Sequence, residues 1–160
     1  MIFVTSGTVS YPFKRLIDAA IDTLGNMKEK VIIQTGDYKP DVLPANIKIV
    51  DHLTLSETIK YYKSARLIIS ACGEASVFLI LRYAKNIPIF VPRQKIYGEH
   101  VDNQQMILAK EISLSKPSVV IYDINDLKKH IFSIPSKRYS KKRSDKYNIK
   151  KIVEELDKIT

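Results

Sequence analysis

Short, unbroken apolar runs alternate along this chain with longer stretches whose apolar residues recur every three or four positions. Ile2-Phe3-Val4-Thr5, Val31-Ile32-Ile33-Gln34, Ile47-Lys48-Ile49-Val50, Leu67-Ile68-Ile69-Ser70, Pro88-Ile89-Phe90-Val91-Pro92 and Ser118-Val119-Val120-Ile121-Tyr122 have the length and β-branched content of strands. The run from Leu67 shows no polar alternation, which suits the centre of a parallel sheet covered on both faces. Between the first two strands, the spacing of Phe13, Leu16, Ile17, Ala20, Ile21 and Leu24 predicts a helix over residues 12–24. Further helices are predicted over 56–63, with Ser56 as the N-cap, and over 74–85, 101–111 and 123–131.

Strand and helix in such alternation, joined by right-handed crossovers, make a mostly parallel sheet with helices on both faces: a doubly wound, Rossmann-like α/β domain. Ligands of these sheets bind beyond the carboxyl ends of the strands, so the loops after Thr5, Gln34, Val50, Ser70 and Pro92 are expected to line the site. A length of 160 residues suits one domain, placed here at 1–135. Residues 136–160 read separately, as a basic segment followed by an amphipathic helix with Ile149, Ile152, Val153, Leu156 and Ile159 on one face.

Apolar residues at 45% and charged residues at 27% exclude disordered, collagen-like and membrane-embedded classes. No apolar run is long enough to span a bilayer, and the opening run is too short for a secretory core, so a cytoplasmic protein is expected. Cys72 is the single cysteine, which removes intrachain disulfides and multi-cysteine zinc sites and suits a small buried residue. The net charge of +9 is concentrated: residues 137–151 hold eight basic side chains against Asp145 alone. The rest of the chain is close to neutral, which argues against a nucleic-acid-binding body and leaves the basic run free to meet an anionic membrane surface.

Three loops could carry chemistry. Ser6-Gly7-Thr8 follows the first strand and is either an anion-binding turn or a plain strand-to-helix turn. Ser70-Ala71-Cys72-Gly73-Glu74-Ala75-Ser76 combines small residues with a helix start, which offers free N–H groups to phosphate, unless Glu74 simply occupies that helix end. Gly98-Glu99-His100-Val101-Asp102-Asn103-Gln104-Gln105 crowds donors and acceptors suited to phosphate and hydroxyl groups, or is a solvated helix start capped by Asp102 or Asn103. His52, His100 and His130 have no metal-ligand spacing, so no metal is expected.

The residues Met1 to Thr8, Phe13-Lys14-Arg15-Leu16-Ile17 and Gln34-Thr35-Gly36 together resemble the opening of the small catalytic subunits of two-component family 28 glycosyltransferases. These are similar to the carboxyl-terminal half of the peptidoglycan lipid-intermediate N-acetylglucosaminyltransferase. Ser70, Gly73 and Ser76 match that family's glycine-rich loop, and Val91-Pro92-Arg93 with Tyr97-Gly98-Glu99-His100-Val101-Asp102-Asn103-Gln104-Gln105 resembles its exopolysaccharide branch. The likeness covers roughly residues 1–112. The pattern differs at Ala71, Glu74, Leu79 and Gln104, where the family has His, a small residue, Glu and His.

The resemblance implies the nucleotide-sugar half of a GT-B fold, a UDP-sugar as substrate rather than cofactor, and a separate membrane-associated subunit that binds a lipid-linked acceptor. The implied activity is hexosyl transfer, active only with that partner, at the inner face of the cell membrane. Backbone near Leu53 to Leu55 would hold the uracil, the Gly7-Thr8 and Gly73 to Ser76 loops would face the diphosphate, Gln104 and Gln105 would contact phosphate and sugar, and Ser70 is a further donor-binding residue. His100 and Glu74 are the candidate catalytic side chains. A scaffold of the same fold without catalysis is the alternative, and nucleotide affinity separates the two.

Overall fold

The computed structural model describes residues 1–8, 10–114 and 118–134. All six predicted strands form: β1 (Ile2–Thr5), β2 (Val31–Gln34), β3 (Ile47–Val50), β4 (Leu67–Ala71), β5 (Ile89–Val91) and β6 (Val119–Val120). They make one wholly parallel sheet in the order β3-β2-β1-β4-β5-β6. β5 is shorter than the predicted 88–92 because its flanking prolines, Pro88 and Pro92, have no N–H to donate to a ladder.

The alternation of side chains along each strand divides the core into two layers. Ile2 and Val4 of β1, with Leu67, Ile69 and Ala71 of β4, face α1 (Lys14–Leu24) and α5 (Leu127–Ser133). Phe3 and Ile68 point the other way, towards Tyr62 of α2 (Leu55–Ser64), Val77 and Ile80 of α3 (Glu74–Tyr83), and Leu108 and Ile112 of α4 (Gln104–Leu114). Phe3 stacks on Tyr61 at 4.8 Å between ring centroids. β1 and β4 are therefore buried on both faces, as their three-residue apolar runs require.

Helix boundaries differ from the periodicity where side chains outside the apolar stripe decide them. α2 begins at Leu55, and its N-cap is Thr54, not Ser56. The Thr54 hydroxyl accepts the Glu57 N–H while the Glu57 carboxylate accepts the Thr54 N–H, a reciprocal box that Ser56 has no partner to make. α4 starts at Gln104 rather than 101, because residues 99–103 are held in a loop: the Glu99 carboxylate accepts the Gln94 N–H and the Asn103 carbonyl oxygen of the side chain accepts the Lys95 N–H. The predicted helix over 123–131 divides into a 3₁₀ turn (Ile124–Asp126), opened by Asp123 bonding the Asn125 N–H, and α5. The basic run and the amphipathic helix predicted within 136–160 lie outside the described residues. Among the described residues no helix is long and apolar enough to cross a membrane.

Gly25 closes α1 with ordinary helical angles, so glycine is required there by space and not by backbone conformation. A Cβ at this position would stand 2.5 Å from Pro44 Cγ and 2.8 Å from the Ile21 carbonyl oxygen. Gly25→Ala should therefore cost about 1–3 kcal/mol, the usual penalty of overpacking. Urea denaturation would show a lower midpoint at unchanged slope, and an unchanged midpoint would mean that the Pro44 loop moves away freely.

Candidate nucleotide-binding site

Strand order 3-2-1-4-5-6 reverses direction between β1 and β4, and the two loops leaving that crevice are the two glycine loops singled out in the sequence. After β1 the chain turns through Gly7 at φ +80°, a region that favours glycine. A polar group of side chains beneath it fixes the turn. The Thr5 hydroxyl bonds the Gln34 side-chain oxygen and accepts the Gly7 N–H, and the Gln34 amide donates to the Gly7 carbonyl at 3.2 Å. The far side of the turn faces Ser76: a Cβ on Gly7 would lie 3.6 Å from the Ser76 hydroxyl.

The start of α3 is open where the start of α2 is closed. Gly73 is its N-cap and has no side chain to offer, so no side-chain hydrogen bond caps this end. The first intrahelical bond runs from Val77 N–H to the Gly73 carbonyl, which leaves the N–H groups of Glu74, Ala75 and Ser76 without helical partners. Glu74 itself is exposed in the first turn, where a carboxylate interacts favourably with the positive end of the helix. Ser76 is held from below by Tyr62. Burial pushes the Tyr62 phenol up to about 12, with its hydrogen bond to Ser76 opposing.

Gln105, in the first turn of α4, completes the cradle. It is only 6% exposed. Its Oε1 accepts the backbone N–H of Arg93 at 3.1 Å, which fixes the amide orientation and turns Nε2 towards Gly73, 3.8 Å from where a Cβ would sit. That Nε2 makes no hydrogen bond among the described residues, so a buried amide presents a free donor to the crevice. The Gly7 turn, the open α3 end and the Gln105 amide thus converge, and all three offer N–H groups or small surfaces suited to an anion.

Two arginines brace this edge of the sheet. Arg93 is completely buried. Its guanidinium donates to the carbonyls of Tyr11 at 2.7 Å, Glu99 at 3.1 Å and Ser6 at 2.9 Å, and lies over the Phe13 ring at 4.5 Å. Burial pulls its pKa down to about 10, with Glu99 opposing, so the group stays charged at neutral pH and its desolvation cost is present at every pH below about 10. Arg15 makes a fork to the buried Glu99 carboxylate, at 2.7 and 2.8 Å, and its plane lies under Tyr97 at 4.8 Å.

The other predicted residues are dispersed around this centre. Thr8 is exposed beside Gly7 and does not start a helix, since α1 begins at Lys14. Ser70 is fully buried inside β4 and its hydroxyl donates to the Ala71 carbonyl, so it lies beneath the crevice and is not part of its lining. Leu55 is 62% exposed as the first residue of α2, in the connection after β3, a strand three places from β4 in the sheet. Gln104 is exposed, its N–H bound to Asp102. His100 is half-buried with Nδ1 2.9 Å from an Asp102 carboxylate oxygen and its ring 5.9 Å from that of Tyr11. The Gln104 N–H, more than His100 itself, holds Asp102 below the usual carboxylate range, so an ionised carboxylate orients the imidazole. Cys72 is buried, and burial pushes its thiol up, away from nucleophilic chemistry.

An open cleft of about 460 Å³ lies along Pro12, Lys14, Arg15, Asp18 and residues 97–99. It is large enough for a small ligand, but its cations are already matched, Lys14 by Asp18 and Tyr38 and Arg15 by Glu99, and none of the cradle residues lines it. Among the described residues no three His, Cys, Asp or Glu side chains gather as a metal-binding group. Arg93, Glu99, Arg15, Thr5 and Gln34 were not among the predicted site residues. All five lie inside the motifs that carry the family resemblance, but without a role; many of the acceptors are backbone carbonyls, which no pattern of side chains reveals.

A parallel sheet of this order with a crevice at its reversal is a Rossmann-like domain, here similar to the C-terminal half of GT-B glycosyltransferases. The chain belongs to glycosyltransferase family 28: the model of the family's C-terminal domain matches residues 1–158, beyond residue 112 and across the boundary drawn at 136. Similar solved structures include the glycotransferase of kitacinnamycin, with a TM-score of 0.65 at 11% identity over 98% of this chain and 39% of that one. MurG of Acinetobacter baumannii aligns with a TM-score of 0.59 at 20% identity, over 82% of this chain and 40% of that one. The glycosyltransferase VinC, solved in complex with dTDP, gives 0.57 at 13% identity over 98% and 36%. The chain thus spans about two-fifths of the length of these structures. No match was found among curated proteins.

Gly7→Ala tests the turn. A Cβ there meets only ordinary contacts, so the cost comes from the left-handed backbone, about 1–2 kcal/mol. Thermal unfolding should show a correspondingly lower Tm; an unchanged Tm would mean that the Thr5 and Gln34 bonds do not hold the turn.

Proposed function

We propose that this chain is the donor-binding half of a glycosyltransferase that moves a hexosyl group from a UDP-sugar to a lipid-linked acceptor. The observation that carries this reading is the meeting of two donor sets, the uncapped start of α3 and the free Nε2 of Gln105, beside the side-chain-free Gly7 turn at one crevice. A diphosphate seated there takes N–H groups from α3 and Gln105, and the same groups stabilise the charge that develops on it as the sugar leaves. The loop that leads to Leu55 follows β3, at the same carboxyl-end side of the sheet as the crevice, which suits a nucleoside diphosphate with its base beyond β3. The dTDP in the VinC structure is a ligand of the same class. His100, oriented by Asp102, and Glu74 are the candidates for proton transfer.

This chain spans two-fifths of the length of its structural neighbours, and sugar transfer also needs an acceptor-binding half. In this reading a membrane-associated partner subunit supplies it, in exopolysaccharide synthesis at the inner face of the membrane, and the basic residues 137–151 add attraction to anionic headgroups. A non-catalytic scaffold of the same fold is the second reading. It is favoured by Leu79, which packs on the apolar layer of α3 at the place where the family carries a ribose-binding Glu.

Titration calorimetry with UDP separates the two. Binding is expected, and Gln105→Ala should weaken it by about 1–3 kcal/mol, the cost of removing a buried donor to a charged group. No UDP binding, with or without the partner, leaves the scaffold reading. Glu74→Ala should leave UDP affinity equal or raise it, because it removes a negative charge from the helix end that faces the diphosphate. A large loss of affinity would instead make Glu74 a direct ligand.

A further inference from the structure

We infer that Arg93 is the positioning residue of the nucleotide cradle, a buried cation that holds the loop after β1 and the loop before α4 in one geometry through their backbone carbonyls. The inference rests on the nucleotide reading above and deepens it. Arg93 follows β5 directly after Pro92, and from that one position it touches the loop after β1, the loop before α4 and Gln105. Ser6, whose carbonyl accepts from Nη2, immediately precedes the Gly7 turn. Tyr11 and Glu99, whose carbonyls accept from Nη1, lie in the loop before α1 and the loop before α4. The backbone N–H of the same residue sets the Gln105 amide. These contacts cross 82 and 87 residues of sequence for the first loop and 6 for the second, so a single side chain ties together loops that share no regular hydrogen-bond ladder.

Stability alone does not account for such a residue. A buried charge is costly, Arg93 has no carboxylate of its own, and its Nε has no hydrogen-bond partner among the described residues. The nearest acid, Glu99, gives both carboxylate oxygens to Arg15 and meets Arg93 only through its carbonyl. An apolar side chain of the same length would fill the space above Phe13 without that cost. What an apolar side chain lacks is a planar fork that reaches several carbonyls at fixed angles, which is the property needed to set one loop against another. Arg15 and Glu99 add a second clasp on the outer side of the same loops, from Arg15 to the Glu99 carboxylate and the Pro92 carbonyl.

The test pairs hydrogen exchange with UDP titration on the full chain, for the wild type, Arg93→Met and Arg93→Lys, at a temperature where each is fully folded. In Arg93→Met the amides of residues 6–12 and 94–103 should exchange about tenfold faster or more, while those of β1, β4 and β5 keep their protection. UDP affinity should fall by about tenfold or more, because displaced donors no longer converge on the ligand. Arg93→Lys, with the charge but not the fork, should recover part of both effects. Loop exchange unchanged in Arg93→Met overturns the inference, as does faster exchange spread evenly over strands and loops. If Arg93→Met does not fold, Arg93→Lys decides by the same loop-selective pattern, and failure of both to fold makes Arg93 a core residue and overturns the inference. A wild type that does not bind UDP defeats the nucleotide reading instead, while the exchange pattern still decides whether Arg93 locks the loops.

Discussion

A charged guanidinium sealed inside the protein is the constraint around which the functional edge of this molecule is arranged. Arg93 cannot be hydrated, so its charge has to be solvated by the protein, and among the described residues the groups that reach it are carbonyl dipoles from two loops and the face of Phe13. Each carbonyl that turns inward commits its peptide plane. The loop after β1 and the loop before α4 are thereby set with respect to each other, even though neither belongs to the sheet. Glu99 takes part twice, with its carbonyl on Arg93 and its carboxylate on Arg15, so the two arginines share one loop residue without competing for the same atoms.

The sheet supplies the other half of the arrangement. Reversal of strand order between β1 and β4 opens a crevice at their carboxyl ends, and the chemistry of the two loops there differs from that of the loops farther out. The start of α2, near the edge, is closed by the reciprocal bonds of Thr54 and Glu57. The start of α3, at the crevice, is left open behind Gly73, and the free Gln105 donor lies against it. Capping that satisfies a helix end removes it from ligand chemistry, so of these two helices α3 is the one whose start is open to an anion. The chain belongs to glycosyltransferase family 28 and spans about two-fifths of the length of the related structures.

Much of the fold was legible in the residues themselves. Runs such as Val31-Ile32-Ile33-Gln34 and Leu67-Ile68-Ile69-Ser70 announce strands buried on both sides, and Phe13, Leu16, Ile17, Ala20 and Leu24 announce the helix that covers one face. The errors lie at helix ends: Thr54 displaced Ser56 as a cap, and residues 101–103 went to a loop. A start signal depends on one pair of side chains, whereas an apolar stripe repeats over several turns and tolerates a shift of three residues. Gly7, Gly73, Ser76 and Gln105 were recognisable as candidate site residues because small residues and amides beside strand ends have few other uses.

The sequence by itself determined the alternation of strands and helices, the two-sided burial of β1 and β4, and the loops where a ligand could lie, since each of these follows from patterns spanning neighbouring residues. Tertiary structure alone decided which loops meet, that Ser70 is spent on its own backbone, and that Gln105 presents nitrogen rather than oxygen to the crevice. It also decided the part played by Arg93, whose acceptors are the carbonyls of Ser6 and Tyr11, more than eighty residues away. Every residue has a carbonyl, so nothing in the identity of Ser6 or Tyr11 marks it as the acceptor; only the packing of β1 and β5 on either side of β4 brings those carbonyls and that guanidinium together.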